Sequence, residues 1–282
     1  MLFPHSKRKN DYRGKEKVTD RVKKLVNESE HIVCIMGQEA MVECGGVDLW
    51  DSDNLYRIEK QYGKSPEEML SAGELTARKV YFYDFYKHEV LRRFPEPGST
   101  YEAMRKLQDA GKLADIISFN IYGLEYRAGL RNVIPLSGSV YDNYCPTCKK
   151  KYPVEYMIES RGIPLCDDCK SAVRPNIRLH SEQVQNDLYT QAALACARAD
   201  MILVIGTNLS GSKIRFVTGH YEGKKLVVIH KEPHYTDKYA DYVLLASPKD
   251  VLPKLAEDVK PAESIVPKED KKPVEGTKPA DS

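Results

Sequence analysis

Long hydrophobic runs are missing from this sequence of 282 residues. No segment approaches the ~18 consecutive apolar residues of a membrane-spanning helix, and residues 1–10 lack the apolar stretch of a secretory signal. Charge of one sign is not in excess either, because 43 Lys and Arg offset 41 Asp and Glu to a net charge of +2. These absences argue against a membrane protein and give no reason to expect nucleic-acid binding. We therefore expect a globular protein of the cytoplasm.

Cysteine is scarce, but four of the seven cysteines are regularly spaced. Cys145, Cys148, Cys166 and Cys169 form the pattern C-x2-C-x17-C-x2-C. Two residues between paired cysteines let both thiolates reach one ion from a tight turn, and two such turns complete a tetrahedral shell of sulfur ligands. The pattern predicts a closed, structural zinc site. Two disulfides, or four unrelated cysteines, are the alternatives.

The other three cysteines, Cys34, Cys44 and Cys196, lie in or beside apolar segments. Each is expected to act as a small buried hydrophobic residue. A reducing compartment suits both these free thiols and the zinc thiolates, which again favours the cytoplasm.

Short apolar segments alternate with helical patterns along the chain, and several of them end in glycine or a polar residue. The predicted strands cover residues 31–37, 114–120, 132–136, 200–207, 226–230 and 242–245. Strands that alternate with helices indicate an α/β fold with a doubly wound, parallel, Rossmann-like sheet. The zinc-ribbon module interrupts this pattern at about residues 141–173.

The composition changes at both ends of the chain. We expect a flexible N-terminus at residues 1–15 and a folded domain at residues 16–256. Residues 257–282 are rich in Lys, Pro, Glu and Asp. Such a composition buries too little apolar surface to fold, so a disordered tail is predicted.

Small or polar residues end four of the predicted strands. They are Gly37, Asn120, the run Gly206, Thr207 and Asn208, and His230. In an open parallel sheet, ligands bind beyond the carboxyl ends of the strands, and glycine there lets the backbone approach a phosphate. Glycine after a strand is also ordinary turn chemistry. Taken together, the four strand ends favour a nucleotide or dinucleotide crevice.

Several stretches of the sequence match the motifs of one family in the same order. They are Ser118 to Leu124 with Arg127 to Gly129 (T-Q-N-x-D-x-L…R-A-G), Ile134 to Ser139 (E-L-H-G-S), the four cysteines, Arg174 to Glu182 (R-P-x-V-V-x-F-G-E) and Gly206 to Leu209 (G-T-S-L). From about residue 30 to 255 the chain resembles the sirtuins. These are NAD-dependent protein deacylases and ADP-ribosyltransferases with a Rossmann-like domain and an inserted zinc ribbon. The resemblance implies zinc, and NAD or ADP-ribose, as cofactors, and a modified-lysine protein as a partner.

The resemblance also implies roles for individual residues. Asn120 and Ser137 stand at the catalytic positions, and Ser137 takes the place of the family's histidine. The implied cofactor-binding residues are Gly37, Asp48, Asn120, Gly206, Thr207, Asn208 and His230.

Other positions depart from the family's G-A-G-x-S, P-D-F-R-G and T-Q-N-x-D motifs. Glu39 replaces a glycine, Trp50 an arginine, Phe119 a glutamine and Tyr122 an aspartate. A serine cannot act as a general base near pH 7, whereas a histidine can. A carboxylate at Glu39 should cost a phosphate site both space and Coulomb energy.

Three functional hypotheses remain open at this stage. The chain is either a sirtuin-type protein that binds a nucleotide but is degenerate in deacylase chemistry, or an active divergent sirtuin. Asn120 and the loop at Gly206 favour the active enzyme. The third hypothesis is another nucleotide or nucleoside ligand whose chemistry uses Glu39 or Glu43, although solvated surface carboxylates explain these two residues as well.

Overall fold

Six parallel strands form the central sheet of the structure, a computed structural model that describes residues 15–182 and 186–261. The strands are β1 (Ile32–Met36), β2 (Leu113–Ser118), β3 (Val133–Pro135), β7 (Met201–Ile205), β8 (Leu226–His230) and β9 (Tyr242–Leu245). Their order in the sheet is β3-β2-β1-β7-β8-β9. The chain reverses its direction of winding between β1 and β7, where parallel sheets of this kind bind ligands. The predicted fold class is therefore confirmed.

Helices cover both faces of this sheet because alternate residues of each strand point to opposite sides. Ile32, Cys34 and Met36 pack into the core under α1 (Lys15–Glu28), α7 (Ser99–Asp109) and α12 (Pro248–Leu255). Val33 and Ile35 pack into a second core with α10 (Asn186–Arg198) and α11 (Ser212–Thr218). Since both faces are buried at the centre of the sheet, β1 and β7 are apolar throughout, as the sequence pattern indicates.

Short helices fill the connection between β1 and β2. They are α2 (Gln38–Val42), α3 (Ser52–Tyr62), α4 (Pro66–Met69), α5 (Ala72–Ala77), α6 (Lys79–Phe85) and a π-helical turn (Tyr86–Val90), and α8 (Leu124–Arg127) follows β2. Side chains of Asp51, Ser65 and Ser71 cap three of these helices. The aromatic side chains of residues 82, 83, 85 and 86 are buried, so they contribute to the core and leave Tyr81 exposed.

A second, antiparallel sheet lies between β3 and α10. It contains β4 (Gly138–Tyr144), β5 (Lys151–Tyr152) and β6 (Arg174–Ile177) in the order β5-β4-β6, together with α9 (Val154–Glu159). The predicted zinc-ribbon module is this sheet and its turns. β4 begins shortly after the end of β3, and Arg178, the residue after β6, donates its N–H to the Ser137 carbonyl. The zinc-ribbon module therefore joins the main sheet at the end of β3.

The flexible N-terminus predicted at residues 1–15 and the disordered tail predicted at residues 257–282 lie mostly outside the described residues, which exclude 1–14 and 262–282. The described residues 257–260 contact α1. Lys23 forms ion pairs with Glu257 and Asp258, and the Lys260 backbone N–H donates to Asn27 Oδ1 at 3.0 Å. Within the described ranges, none of the helices has the length and apolar character needed to cross a bilayer.

Candidate functional site

A cavity of about 260 Å³ opens at the carboxyl edge of the parallel sheet. Four of the predicted site residues line it, namely Gly37, Asn120, Ser137 and Thr207. They come from the ends of β1, β2, β3 and β7 respectively, so the strand order brings them together across the switch point. Trp50, which is 47% exposed, lies at the same cavity. A cavity therefore lies at the edge of the sheet where the sequence predicts a ligand-binding crevice.

Two glycines let the ends of β1 and β7 approach each other closely. A Cβ on Gly37 would lie 2.3 Å from Thr207 Cβ and 2.6 Å from the Gly206 carbonyl oxygen. Gly206 has a φ of +69°, and its carbonyl accepts a hydrogen bond from the Glu39 N–H at 3.0 Å. Both positions require glycine for packing, whether or not a phosphate binds there.

Glu39 lies in the first turn of α2, at the position where the family has a glycine. Its Oε2 accepts a hydrogen bond from the Lys231 N–H at 3.2 Å, so the carboxylate ties the loop after β1 to the end of β8. Burial raises the pKa of this carboxyl, and the bond from Lys231 partly opposes the rise. The carboxylate therefore sits in the region where the resemblance places a phosphate.

The other predicted cofactor residues make internal contacts near the cavity without lining it. Asp48 accepts from the Gln38 side chain and, at 2.8 Å, from the Trp50 N–H. Asn208 Oδ1 accepts from the Ser210 N–H at 2.8 Å. These contacts shape the two loops after β1 and β7.

His230, the last residue of β8, forms a buried pair with Asp237, with 3.0 Å between Nε2 and Oδ1. Burial lowers the pKa of His230, and the neighbouring Asp237 carboxylate opposes that shift. The imidazole is therefore positioned at the strand edge by a partner that the sequence pattern did not reveal.

Asn120 belongs to a buried polar network behind the cavity. Its Nδ2 donates to Tyr101 Oη at 3.3 Å and to Glu125 Oε1 at 3.4 Å, and Ser118 Oγ donates to the same Glu125 oxygen at 2.7 Å. Burial raises the pKa of Glu125, and the bond from Ser118 opposes the rise. The network fixes the orientation of the Asn120 amide at the wall of the cavity.

Tyr122, which takes the place of an aspartate of the family, is part of the wall rather than a free polar group. Its hydroxyl donates to the Val90 carbonyl at 2.8 Å, and its ring packs edge-on against Phe94. Burial raises the pKa of Tyr122 to about 12. The phenol therefore stays protonated at neutral pH and cannot replace the carboxylate.

Ser137 lies where β3 passes into the zinc-binding sheet. Arg178, which follows β6, donates its backbone N–H to the Ser137 carbonyl at 2.9 Å and its Nε to the Leu136 carbonyl at 3.0 Å. The sequence analysis missed Arg178, Glu125 and Asp237. An arginine in an otherwise apolar position of the R-P-x-V-V-x-F-G-E stretch was the one available signal for Arg178.

The four spaced cysteines converge on one point. Their Sγ atoms all lie within 4.8 Å of one another, with Cys145–Cys169 at 3.3 Å and Cys148–Cys166 at 3.5 Å. All seven cysteines of the chain are free, so the disulfide alternative is wrong. A tetrahedral zinc with bonds of about 2.3 Å separates its sulfurs by about 3.8 Å, so these four sulfurs are close enough to one another to bind one ion. The donor set fits a structural zinc ion, as predicted.

Comparison with known proteins agrees with this geometry. The model of the Sir2 family matches residues 38–212. The NAD-dependent protein deacetylase of Clostridium tetani is 32% identical over 239 residues, which cover 84% of this chain and 97% of that protein. The NAD-dependent protein deacetylase of Thermotoga maritima is 30% identical over 220 residues, 76% of this chain and 87% of that protein.

Solved structures give the same result. Sir2Tm bound to a propionylated peptide has a TM-score of 0.72 and 27% identity, and the match covers 85% of this chain and 97% of that chain. A Sir2 complex with a p53 peptide and NAD+ has a TM-score of 0.73 and 26% identity, with the same coverage. Zinc ribbon, parallel sheet and strand-edge cavity together define a sirtuin-type protein. The chain belongs to the Sir2 family, and the resemblance drawn from the sequence is confirmed.

Proposed function

We propose that this protein binds NAD or ADP-ribose at the strand-edge cavity and is degenerate in deacylase chemistry. One observation carries the proposal. Among the described residues that line the cavity, only Tyr122 and Arg178 have ionisable side chains, and neither accepts a proton near pH 7. Ser137 occupies the position of the family's histidine and has no adjacent base in the lining. The third hypothesis, a different nucleotide chemistry based on Glu39 or Glu43, loses support because neither carboxylate lines the cavity.

The residues of the cavity suit the neutral part of a nucleotide. Asn120, Ser137 and Thr207 are polar residues of the cavity lining, and Gly37 brings backbone close to it. We propose that these residues, with His230 at the next strand end, hold the ribose and amide groups. NAD, when bound, supplies a reactive ribosyl carbon. The chain's own contribution is to orient the cofactor and exclude water, which positions a ligand without requiring a base.

The active divergent enzyme remains the second candidate because Asn120 is so well positioned. Two buried side chains, Tyr101 and Glu125, hold its amide, Ser118 holds Glu125 in turn, and such a network is costly to maintain unless the orientation matters. An amide held at this edge can orient a water molecule or a ribose hydroxyl beside a reacting carbon. Asn120 is the residue on which any turnover would depend.

The proposed partners are a nucleotide and a protein that carries a modified lysine. Sir2 proteins of similar structure bind acetylated or propionylated peptides, and the apolar walls of this cavity would accept a lysine side chain with its acyl group. The proposed compartment is the cytoplasm, where the free thiols and the zinc thiolates both stay reduced.

The test combines calorimetric titration with NAD and ADP-ribose and an assay of nicotinamide release with an acetyl-lysine peptide. We expect binding, and turnover lower than that of a sirtuin with an intact base by about 10²–10⁴-fold. Ser137→His should not restore activity, because Glu39 and Tyr122 also depart from the cofactor site.

Robust nicotinamide release by the unaltered protein would contradict the proposal and favour the active enzyme. In that case Asn120→Ala should abolish turnover, with Asn27→Ala as the matched control because Asn27 lies at the end of α1 and outside the cavity lining. Turnover that survives Asn120→Ala undiminished would place the chemistry elsewhere.

A further inference from the structure

Glu39 connects the start of α2, just after β1, to the ends of two other strands of the sheet. Its backbone N–H donates to the Gly206 carbonyl at the end of β7, at 3.0 Å, and its Oε2 accepts from the Lys231 N–H, just after β8, at 3.2 Å. In the sheet, β7 lies between β1 and β8. The Glu39 side chain therefore crosses the carboxyl end of β7, and we call this connection the Glu39 bridge.

The Glu39 bridge packs directly on the end of β7. A Cβ on Gly206 would lie 3.0 Å from Glu39 Cβ and 2.7 Å from the Ala40 nitrogen. The half-buried Glu39 side chain thus leaves no space for a ligand group between itself and this strand end.

A second carboxylate holds the far end of the bridge. Glu43, which follows α2, binds the same lysine through its ammonium group, with 3.5 Å between Oε1 and Nζ. Glu43 also accepts from Ser247 Oγ and, at 3.0 Å, from the Lys249 N–H at the start of α12. Because only 4% of the Glu43 side chain is exposed, Lys231 is fixed by a buried group, and the bridge is part of the packed structure.

The bridge separates two groups of residues that are proposed to hold the ligand. Asn120, Ser137 and Thr207 line the cavity, whereas His230, at the end of β8, is not among the described residues of that lining. In a doubly wound sheet a dinucleotide lies across the switch in strand order, with its diphosphate at the turn after the first strand. The Glu39 bridge spans the path that such a ligand would follow.

The cavity by itself is also small for a dinucleotide. Its volume of about 260 Å³ lies below the roughly 300–1,000 Å³ of sites that hold drug-sized ligands. This volume suits one half of a dinucleotide, so the other half needs the space beyond the bridge.

We infer that Glu39 is a specificity-determining residue whose bridge to Lys231 closes the passage between the cavity and the end of β8. With the bridge formed, the site accepts one nucleoside half of a ligand. A ligand with a diphosphate, such as NAD or ADP-ribose, displaces the carboxylate, because two anions at this distance repel each other. The inference rests on the proposed function, since it concerns the ligand of the same site.

The test is calorimetric titration of ADP-ribose into wild type, Glu39→Ala and Glu39→Gln. Alanine removes the bridge, whereas glutamine removes the charge but keeps an oxygen that accepts from the Lys231 N–H. We expect Glu39→Ala to bind ADP-ribose about tenfold more tightly, which is the strength of one hydrogen bond to a charged group. Glu39→Gln should gain less.

Glu232→Ala is the control, because it removes an exposed carboxylate next to Lys231 that takes no part in the bridge. It should leave the affinity within about twofold of the wild type. Melting temperatures show that each variant is folded. Unchanged affinity in both Glu39 variants would overturn the inference, and so would equal gains in both, because the charge alone would then exclude the ligand.

Inorganic pyrophosphate separates this inference from the proposed function, because it carries the diphosphate without either nucleoside. We expect millimolar pyrophosphate to raise the melting temperature of Glu39→Ala more than NaCl of equal ionic strength, with no such difference in the wild type. If no sample binds ADP-ribose but Glu39→Ala gains this response, the proposed nucleotide function is refuted and the Glu39 bridge stands. If the wild type binds ADP-ribose and Glu39→Ala gains neither affinity nor the response, the inference alone is refuted. No response to either probe in any sample refutes both.

Discussion

Gly138 determines, at the scale of a single residue, how the zinc-binding sheet joins the main sheet. Its φ is +74°, and a Cβ would lie 1.9 Å from the Asn176 carbonyl oxygen of the paired strand. Gly138→Ala combines backbone strain with a clash against backbone that cannot move aside. We expect a loss of at least about 3 kcal/mol in the free energy of unfolding, measured by urea denaturation.

Gly63 is the matched control for that substitution. It has a similar φ of +69°, but a Cβ there would meet nothing within 4 Å. Gly63→Ala should therefore cost only the strain of the left-handed conformation, about 1 kcal/mol. Equal losses at the two sites would show that the close approach at Gly138 has no energetic consequence.

Glu125 should make the stability depend on pH. Because burial raises its folded-state pKa above the ordinary value of 4.5, the folded protein binds this proton more readily than the unfolded chain. The cost of the buried charge is fully present at neutral pH and disappears as the pH falls through the raised pKa toward 4.5.

Wild type should therefore gain stability relative to Glu125→Gln as the pH is lowered through that window. Thermal or urea unfolding at a series of pH values measures the difference, and the exposed Glu159→Gln gives the baseline. A difference between wild type and Glu125→Gln that does not change with pH would contradict the prediction.

Sequence patterns located some residues of the site but not the residues that position them. Asn120 ends one predicted strand and Ser137 follows another, so their place at the sheet edge could be inferred from the chain itself. Glu125 and Arg178 gain their significance from contacts with Ser118 and Leu136, and the latter contact spans 42 positions. Such pairs depend on tertiary packing, which strand periodicity does not encode.

The zinc-binding sheet is the element whose stability depends on a single ion. Since a structural zinc contributes folding free energy directly, Cys145→Ser or Cys166→Ser should release the metal and lower the melting temperature. Both sulfurs are buried in the cluster. Metal analysis should find one zinc per chain in the freshly purified, reduced wild type.

Cys196→Ser is the control, because this buried cysteine lies in the second core on α10. It should affect packing but leave the zinc content unchanged. Substoichiometric zinc in the wild type, or full zinc in Cys145→Ser, would be incompatible with a four-thiolate site.

Elements with a regular hydrophobic periodicity could be predicted from the sequence, but the short helices between β1 and β2 could not. The six parallel strands and the amphipathic α1 follow from apolar patterning alone. The helices of residues 38–85 are mostly 4–7 residues long. They are defined by local caps such as the Ser65 capping box and by burial against the core, so no long period reveals them.

The whole molecule should tolerate loss of its C-terminal segment, but only up to a definite residue. Deleting residues 262–282, whose Lys-, Pro- and Glu-rich composition predicts no packed structure, should shift the melting temperature by less than about 1 °C. Deleting from Glu257 also removes the contacts with Lys23 and Asn27 and the packing of Val259 on the core. That longer deletion should lower the melting temperature by a few degrees.

Differential scanning calorimetry of the two truncated proteins provides the measurement. A large loss on removing residues 262–282 alone would mean that this segment docks on the domain. Identical melting temperatures for both truncations would mean that the contacts of residues 257–260 with α1 are too exposed to contribute.

The zinc-binding sheet enters and leaves the main domain at the cavity itself, since Ser137 precedes β4 and Arg178 follows β6. Any insertion, deletion or transplanted ribbon between these two positions is therefore a change to the binding site, even when it is made far from the ligand. A chimaera that exchanges the ribbon should inherit ligand selectivity from the donor of residues 137 and 178. The zinc-binding sheet is a separate unit in the topology but not in function, because Ser137 and Arg178, the residues at its two junctions, line the cavity.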